Sequence, residues 1–269
     1  MATILDEIIA HKEKEVADMM SLFPEKLLEK SLYFTTPVVS MKKYLTEPGR
    51  SGVIAEYKRK SPSKGIINDS APVERTTIGY MQAGASALSI LTDTEYFGGK
   101  NADLMTARKF NFCPILRKDF IVSKYQIMEA KSIGADVVLL IAAAMTPERL
   151  KELATFAKTL GLEVLMEVHD EDELKYNLHD EVDMIGVNNR DLRTFEVSLD
   201  VSKRLAEHIP DKYVKVAESG LKGPEDIVEL KKYGYQGFLI GESFMTSGRP
   251  DRAAERLIQR VRDLEAKQK

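Results

Sequence analysis

The chain has 269 residues and a mass of 30.2 kDa; 43% are hydrophobic and 30% charged, enough for one large domain or two small ones. Its 39 Lys and Arg against 42 Asp and Glu leave a formal charge of -3, a balance that disfavours general nucleic-acid binding. A single cysteine, Cys113, excludes an internal disulfide and a cysteine-rich zinc site and fits a reducing compartment. The longest apolar run, Val137 to Met145, falls well short of the roughly 20 residues that cross a bilayer. The opening Met-Ala-Thr-Ile-Leu-Asp-Glu carries acid where a secretion signal needs positive charge. We therefore expect a cytoplasmic protein without a membrane partner.

The first segment, Ile4 to Met20, carries Ile4, Leu5, Ile8, Ile9, Val16, Met19 and Met20 at helical spacing and predicts an amphipathic helix. Pro24, Pro37 and Pro48 then divide the chain into short pieces. From Gly52 onward, short apolar runs alternate with longer helical ones. The predicted strands are Gly52–Tyr57, Ala87–Thr92, Pro114–Lys118, Asp136–Ala142, Leu162–Val168, Met184–Val187, Tyr213–Ala217 and Gly237–Ile240. Helices are predicted near 71–84, 101–111, 123–134, 146–160, 171–179, 199–208 and 223–233. A last one, over about 250–266, has Pro250 suited to its first turn. Several strands are nearly all apolar, as when both faces are covered.

This pattern predicts an α/β protein: a single (β/α)8 TIM-barrel domain spanning 1–269, with a helical extension over 1–48 and the barrel over 52–269. A doubly wound open sheet is the alternative. It usually has fewer units, and no G-x-G-x-x-G turn follows the first strand.

Barrel active sites lie at the C-terminal strand ends, where alternate residues point inward. Ile54, Glu56 and Lys58 share one face at the end of the first strand by the two-residue period. The other strands end in Lys118, Glu167, Asn188 and Glu218. Charged residues are rarely buried unless paired, so this set reads either as acid–base machinery or as a ring of salt bridges closing the barrel top. A lysine beside other cations or in an apolar pocket has a lowered pKa and suits a general acid, and a nearby carboxylate suits a base. The four histidines show no short ligand spacing, and no metal site is expected. His11, His179 and His208 read as surface residues, and His169 as a loop histidine near the mouth.

Phosphate is often bound on backbone N–H groups after strands seven and eight. Here Glu218-Ser219-Gly220 and Gly241-Glu242-Ser243 occupy those places, although both glycines also fit ordinary turns. Arg59-Lys60-Ser61-Pro62-Ser63-Lys64-Gly65 reads as a cationic lid or a solvated loop, and Tyr96-Phe97-Gly98-Gly99 as a pocket wall or a turn.

Taken together, several strings carry a family resemblance. They are Ile54-Ala55-Glu56-Tyr57-Lys58-Arg59-Lys60-Ser61-Pro62-Ser63, Leu91-Thr92-Asp93 with Tyr96-Phe97-Gly98-Gly99, Leu116-Arg117-Lys118-Asp119-Phe120, Leu165-Met166-Glu167-Val168-His169, Ile185-Gly186-Val187-Asn188-Asn189-Arg190-Asp191-Leu192, Val216-Ala217-Glu218-Ser219-Gly220 and Leu239-Ile240-Gly241-Glu242-Ser243. With them and the N-terminal extension, the chain resembles the indole-3-glycerol phosphate synthase family of the tryptophan pathway over essentially its whole length.

The resemblance implies conversion of 1-(2-carboxyphenylamino)-1-deoxyribulose 5-phosphate to indole-3-glycerol phosphate, with loss of carbon dioxide and water and without a metal or organic cofactor. It implies Lys118 as the general acid on the C2 carbonyl, Glu167 and Lys58 in the later proton transfers, and a Glu56–Asn188 pair near the reacting centre. Ser219 and Glu218 would hold substrate. Ser61, Gly220, Gly241, the Glu242 backbone and Arg190 would face the phosphate. Phe97, Phe120, Leu139, Leu192 and Leu239 would pack the anthranilate ring. The implied partner is this small phosphorylated molecule; the oligomeric state is left open, and a monomer is compatible. Two points call for structure: Glu242 is acidic beside a phosphate, and Glu163 falls inside the barrel without an obvious partner. The competing readings are another barrel enzyme, such as phosphoribosylanthranilate isomerase, and a sugar-phosphate sensor without turnover.

Overall fold

In a computed structural model, which describes residues 3–191 and 194–268, eight parallel strands close into a barrel. They are β1 (Val53–Tyr57), β2 (Ala87–Leu91), β3 (Ile115–Lys118), β4 (Val137–Ile141), β5 (Glu163–Val168), β6 (Met184–Asn188), β7 (Val214–Glu218) and β8 (Tyr235–Ile240). Each pairs with its successor, and β8 returns to β1 with Val53 opposite Phe238 and Ala55 opposite Ile240. The TIM-barrel reading holds, each predicted strand lying within two residues of the observed one. β8 starts earlier than its apolar pattern, because Gln236 is an exposed residue at a register shift between Tyr235 and Gly237.

The two strand faces build two cores. Outward residues such as Val53, Ala55, Tyr57, Leu88 and Ile90 pack under the helices. Inward residues, among them Ile54, Leu116, Leu139, Leu165 and Val216, fill the barrel. With both faces apolar, the strands lack the polar alternation of a half-exposed sheet.

Three helices precede the barrel: α1 (Ile4–Leu22), α2 (Glu25–Leu28) and α3 (Met41–Thr46). Thr3 opens α1 with a reciprocal capping box to Asp6. Leu5, Ile8, Lys12 and Val16 form its buried face, so a lysine interrupts the apolar stripe. α3 stops the N-terminal end of the barrel, Met41 and Leu45 joining the interior core. Its start answers the question of Glu163. That carboxylate accepts the Met41 and Lys42 backbone N–H groups at 2.8 and 3.0 Å and the Ser40 hydroxyl, and it takes up donors that a helix leaves unpaired. Among the described residues, no helix is long and apolar enough to cross a membrane.

Candidate active site

The C-terminal strand ends open into a cavity of about 510 Å³. The strand period brings Glu56 and Lys58 to it from β1, Lys118 from β3, Glu167 from β5, Asn188 from β6 and Glu218 from β7. The loops add Ser61, Phe97, Phe120, Arg190, Ser219, Gly220, Gly241 and Glu242, and Leu139 and Leu239 reach it from β4 and β8. Every residue that the resemblance implies as catalytic or substrate-binding thus lines one cavity, except Leu192, which lies outside the described residues.

Lys118 is the hub. Its Nζ lies 3.0 Å from Glu167 Oε2 and 3.0 Å from Glu218 Oε2. Burial alone would lower its pKa, but Glu167, Glu218 and Glu56 outweigh burial and hold it above the ordinary lysine value. The lowered lysine expected from the sequence is therefore absent: the expectation considered cations and apolar walls, whereas the neighbours are carboxylates.

The two carboxylates diverge. Burial favours the neutral form of both. At Glu167 this is overcome by Lys118, His169 and a 3.0 Å hydrogen bond from Asn188 Nδ2, and its pKa falls to about 2. At Glu218 burial, with repulsion from Glu167 and Glu56, exceeds the pull of Lys118 and raises it to about 7. Glu218 Oε1 is buried and has no hydrogen-bond partner among the described residues. One acid is thus held ionised and the other near neutrality, side by side.

Glu56 does not pair with Asn188. Its Oε1 lies 2.9 Å from Lys58 Nζ, while Asn188 bonds Glu167 instead. The resemblance carried the residues over but not their contacts: Asn188 projects from β6, next to β5, and reaches the nearer acid.

After β7 the backbone turns through two left-handed residues, Ser219 (φ 64°) and Gly220 (φ 75°). This conformation disfavours a side-chain-bearing residue. Asn189, almost wholly buried, pins the turn by donating from Nδ2 to the Glu218 and Ser219 carbonyls while its Oδ1 accepts from Ser202. After β8, Gly241 precedes a helical turn, Glu242–Met245. A Cβ at Gly241 would come within 2.9 Å of Glu56 Cβ, so glycine is needed to fit the β8 end against β1. The Glu242 carboxylate stands 3.9 Å from both Lys64 Nζ and Arg190 Nη2, where neighbouring cations offset its charge.

The opposite wall is apolar. Phe97 and Phe120 lie with ring centroids 5.9 Å apart, and Leu91, Leu139, Ile141 and Leu239 continue the surface. Ile4, Leu5 and Ile8 of α1 roof the cavity. These three, with Leu91 and Ile141, were missed as site residues. The apolar face of α1 was the available signal, because it had to pack somewhere. Lys12 docks that helix: its Nζ lies 2.8 Å from Asp93 and 3.2 Å from Asp119, the residue after Lys118.

His11 and His208 are exposed, as expected, and His169 lies in the loop after β5, but His179 differs. His179 is mostly buried and bonds Glu181 at 3.0 Å through Nδ1. His169 is enclosed between Glu167 and Glu173. A lone histidine in a connecting segment carries no periodic signal that separates a buried position from a surface loop.

Opposed acids and bases on the floor, cations at the rim and an apolar wall at the C-terminal mouth of a closed barrel define a (β/α)8-barrel enzyme of proton-transfer chemistry. Among solved structures, thiamine phosphate pyrophosphorylase from Pyrococcus furiosus aligns with a TM-score of 0.59 at 17% identity, covering 84% of this chain and 99% of that one; this likeness shows the fold alone. The family profile of indole-3-glycerol phosphate synthase matches residues 5–257. The indole-3-glycerol phosphate synthase of Bacteroides thetaiotaomicron is 46% identical over 97% of this chain and 100% of its own length. That of Bacillus cereus is 44% identical over 92% of this chain and 94% of its own. The chain belongs to the indole-3-glycerol phosphate synthase family, carboxy-lyases of tryptophan biosynthesis.

Proposed function

We propose that this mouth closes the indole ring of 1-(2-carboxyphenylamino)-1-deoxyribulose 5-phosphate by general acid–base catalysis, releasing carbon dioxide and water. The observation that carries the proposal is the Lys118 ammonium, 3.0 Å from each of two carboxylates on the floor of a half-apolar cavity. The aromatic carbon bearing the carboxylate attacks the C2 carbonyl, and the electron pair moves onto oxygen. Lys118 donates its proton there, and its high pKa suits a strongly basic alkoxide. Loss of carbon dioxide returns the C–C bond pair to the ring. Dehydration then removes the new hydroxyl with a proton from an acid, and the C1 proton passes to a base. Lys58, Glu56 and Glu167 share these steps, with Asn188 orienting Glu167.

Ser219, Gly220, Gly241 and the Glu242 backbone, with Ser61 and Arg190, receive the phosphate. Phe97, Phe120, Leu139, Leu192 and Leu239 hold the anthranilate ring, and Glu218 takes a polar group of the substrate. The reaction needs no metal or organic cofactor on this reading. A substrate with phosphate at one end and benzoate at the other matches a cavity cationic on one side and apolar on the other. The 1–48 extension and the 52–269 barrel act as one domain, since α1 roofs the cavity and α3 stops the floor. The setting is a cytoplasmic biosynthetic one.

Incubation with the ribulose phosphate, followed by chromatography, tests the reading. One indole product and an equal amount of carbon dioxide are expected. Conversion of phosphoribosylanthranilate instead would move the assignment to an isomerase, and binding without conversion would move it to a sensor.

A further inference from the structure

His169 follows β5 and stands behind Glu167, outside the cavity lining. Its side chain is 13% exposed, and Nε2 is buried without a hydrogen-bond partner among the described residues. Two carboxylates bracket the ring. Glu173 accepts the His169 backbone N–H at 2.8 Å and lies 3.1 Å from Nδ1. Glu167 Oε1 lies 3.5 Å from Nε2. Glu173 is itself fixed, its backbone N–H donating to the helix-capping Asp170 at 2.8 Å.

This bracket dictates where the protons sit. An ionised carboxylate only accepts, so Nδ1 carries a hydrogen for Glu173. A neutral ring would then aim the Nε2 lone pair at a carboxylate oxygen. A second hydrogen on Nε2 turns that repulsion into a charge-assisted contact. The charged groups facing the ring are Glu167 of β5, Glu173 of the following helix and Glu218 of β7. Lys118 of β3 lies beyond Glu167, on its other oxygen. Burial opposes the charged ring, yet the three carboxylates prevail and the imidazole titrates above its ordinary range.

We propose that His169 is a positioning residue for Glu167: braced by Glu173, it presents a second N–H to the carboxylate from behind and fixes its rotamer and its charge. Glu167 Oε1 then stays on Asn188 and Oε2 on Lys118. The kinetic part of this proposal rests on the reaction proposed above; the pairing itself does not.

Two measurements test it. The first is an imidazole NMR titration of the full chain without substrate, with His169→Gln assigning the resonance among four histidines. His169 should titrate above the free value of about 6.5, and Glu173→Gln should bring it down by about one pH unit. A midpoint at or below the free value, unmoved by Glu173→Gln, overturns the pairing. The second compares kcat across pH. At pH 6 the parent should exceed His169→Gln by about tenfold, as expected for one charge-assisted contact, with KM within about twofold. This ratio should shrink toward one as pH rises through the NMR midpoint of His169. A ratio constant with pH overturns the positioning role, because a purely structural defect would not follow the imidazole proton. If His169→Gln does not fold, Glu173→Gln carries both measurements: its kcat deficit should be greatest between its own His169 midpoint and that of the parent and fade on either side, and a deficit constant with pH overturns the positioning role. An inactive parent would contradict the proposed reaction, and the titration would then decide the pairing alone.

Discussion

Lys118 and its two acids form a charge triad whose members cannot be exchanged independently. Removing the ammonium leaves Glu167 and Glu218 side by side without their shared partner. We expect Lys118→Ala to fold and to lose on the order of 10² to 10⁴ in kcat, the usual value of a general acid; a folded variant within about threefold of the parent rate would remove Lys118 from the chemistry. Glu218 makes a separate prediction about stability. Its folded pKa of about 7 lies above the ordinary value of 4.5, so above pH 4.5 the unfolded chain releases a proton that the folded chain retains. Its contribution therefore declines as pH rises from 4.5 through 7. Glu167, depressed to about 2, has the opposite sign, stabilising above 4.5 and losing that as pH falls through 2. Glu218→Gln should thus gain stability relative to the parent as pH rises from 5 to 8, on the order of 5–10 °C in Tm. A Tm difference flat with pH would contradict the raised pKa.

At the scale of elements, the extension has two jobs in different places. α1 roofs the cavity through Ile4, Leu5 and Ile8 and is docked by Lys12, whereas α3 stops the far end and satisfies Glu163. Deleting residues 1–23 should leave a folded barrel with impaired turnover. Deleting 1–46 should cost much of the stability as well, because it exposes the interior core and strips Glu163 of its donors. Thermal unfolding and activity of both truncations check this, and equal behaviour of the two would refute the division. The sequence made the strands legible because buried parallel strands are short apolar runs, and it made five acid–base residues and Asn188 legible because they fall in phase at strand ends. It did not show which acid each would touch: Asn188 reaching Glu167 rather than Glu56 depends on strand order and side-chain reach. Nor did it show Lys12 as buried, since a lysine within an apolar stripe reads as a break until the acids that receive it, Asp93 and Asp119, are brought in just past the ends of β2 and β3. Glu163 was visible as an inward acid, but its partners, two backbone N–H groups and the Ser40 hydroxyl, lie more than 100 positions away, and the backbone groups carry no side-chain signature.

Over the whole molecule the net charge is only -3, so attraction of a substrate that bears both a phosphate and a carboxylate rests on the local cations Lys58, Lys64, Lys118 and Arg190 rather than on a global field. Inorganic phosphate should compete with substrate, and kcat/KM should fall as salt rises from 10 to about 150 mM, across which the screening length shrinks from roughly 30 to 8 Å. A Gly241→Val variant should raise KM steeply, because its side chain meets Glu56 where the phosphate turn begins. Phosphate that leaves the kinetics untouched would argue against an anion site at Ser219–Gly220 and Gly241–Glu242. The most direct measurement uses the chain's lack of tryptophan. Intrinsic emission comes from its 10 tyrosines, and the proposed substrate carries no indole, whereas the product does. On mixing the full chain with 1-(2-carboxyphenylamino)-1-deoxyribulose 5-phosphate, indole emission should grow with time from an indole-free background. It should match the carbon dioxide released, and Glu167→Gln should bind substrate yet generate little of it. Folded protein that binds this substrate and yields no indole emission would contradict the account at its centre.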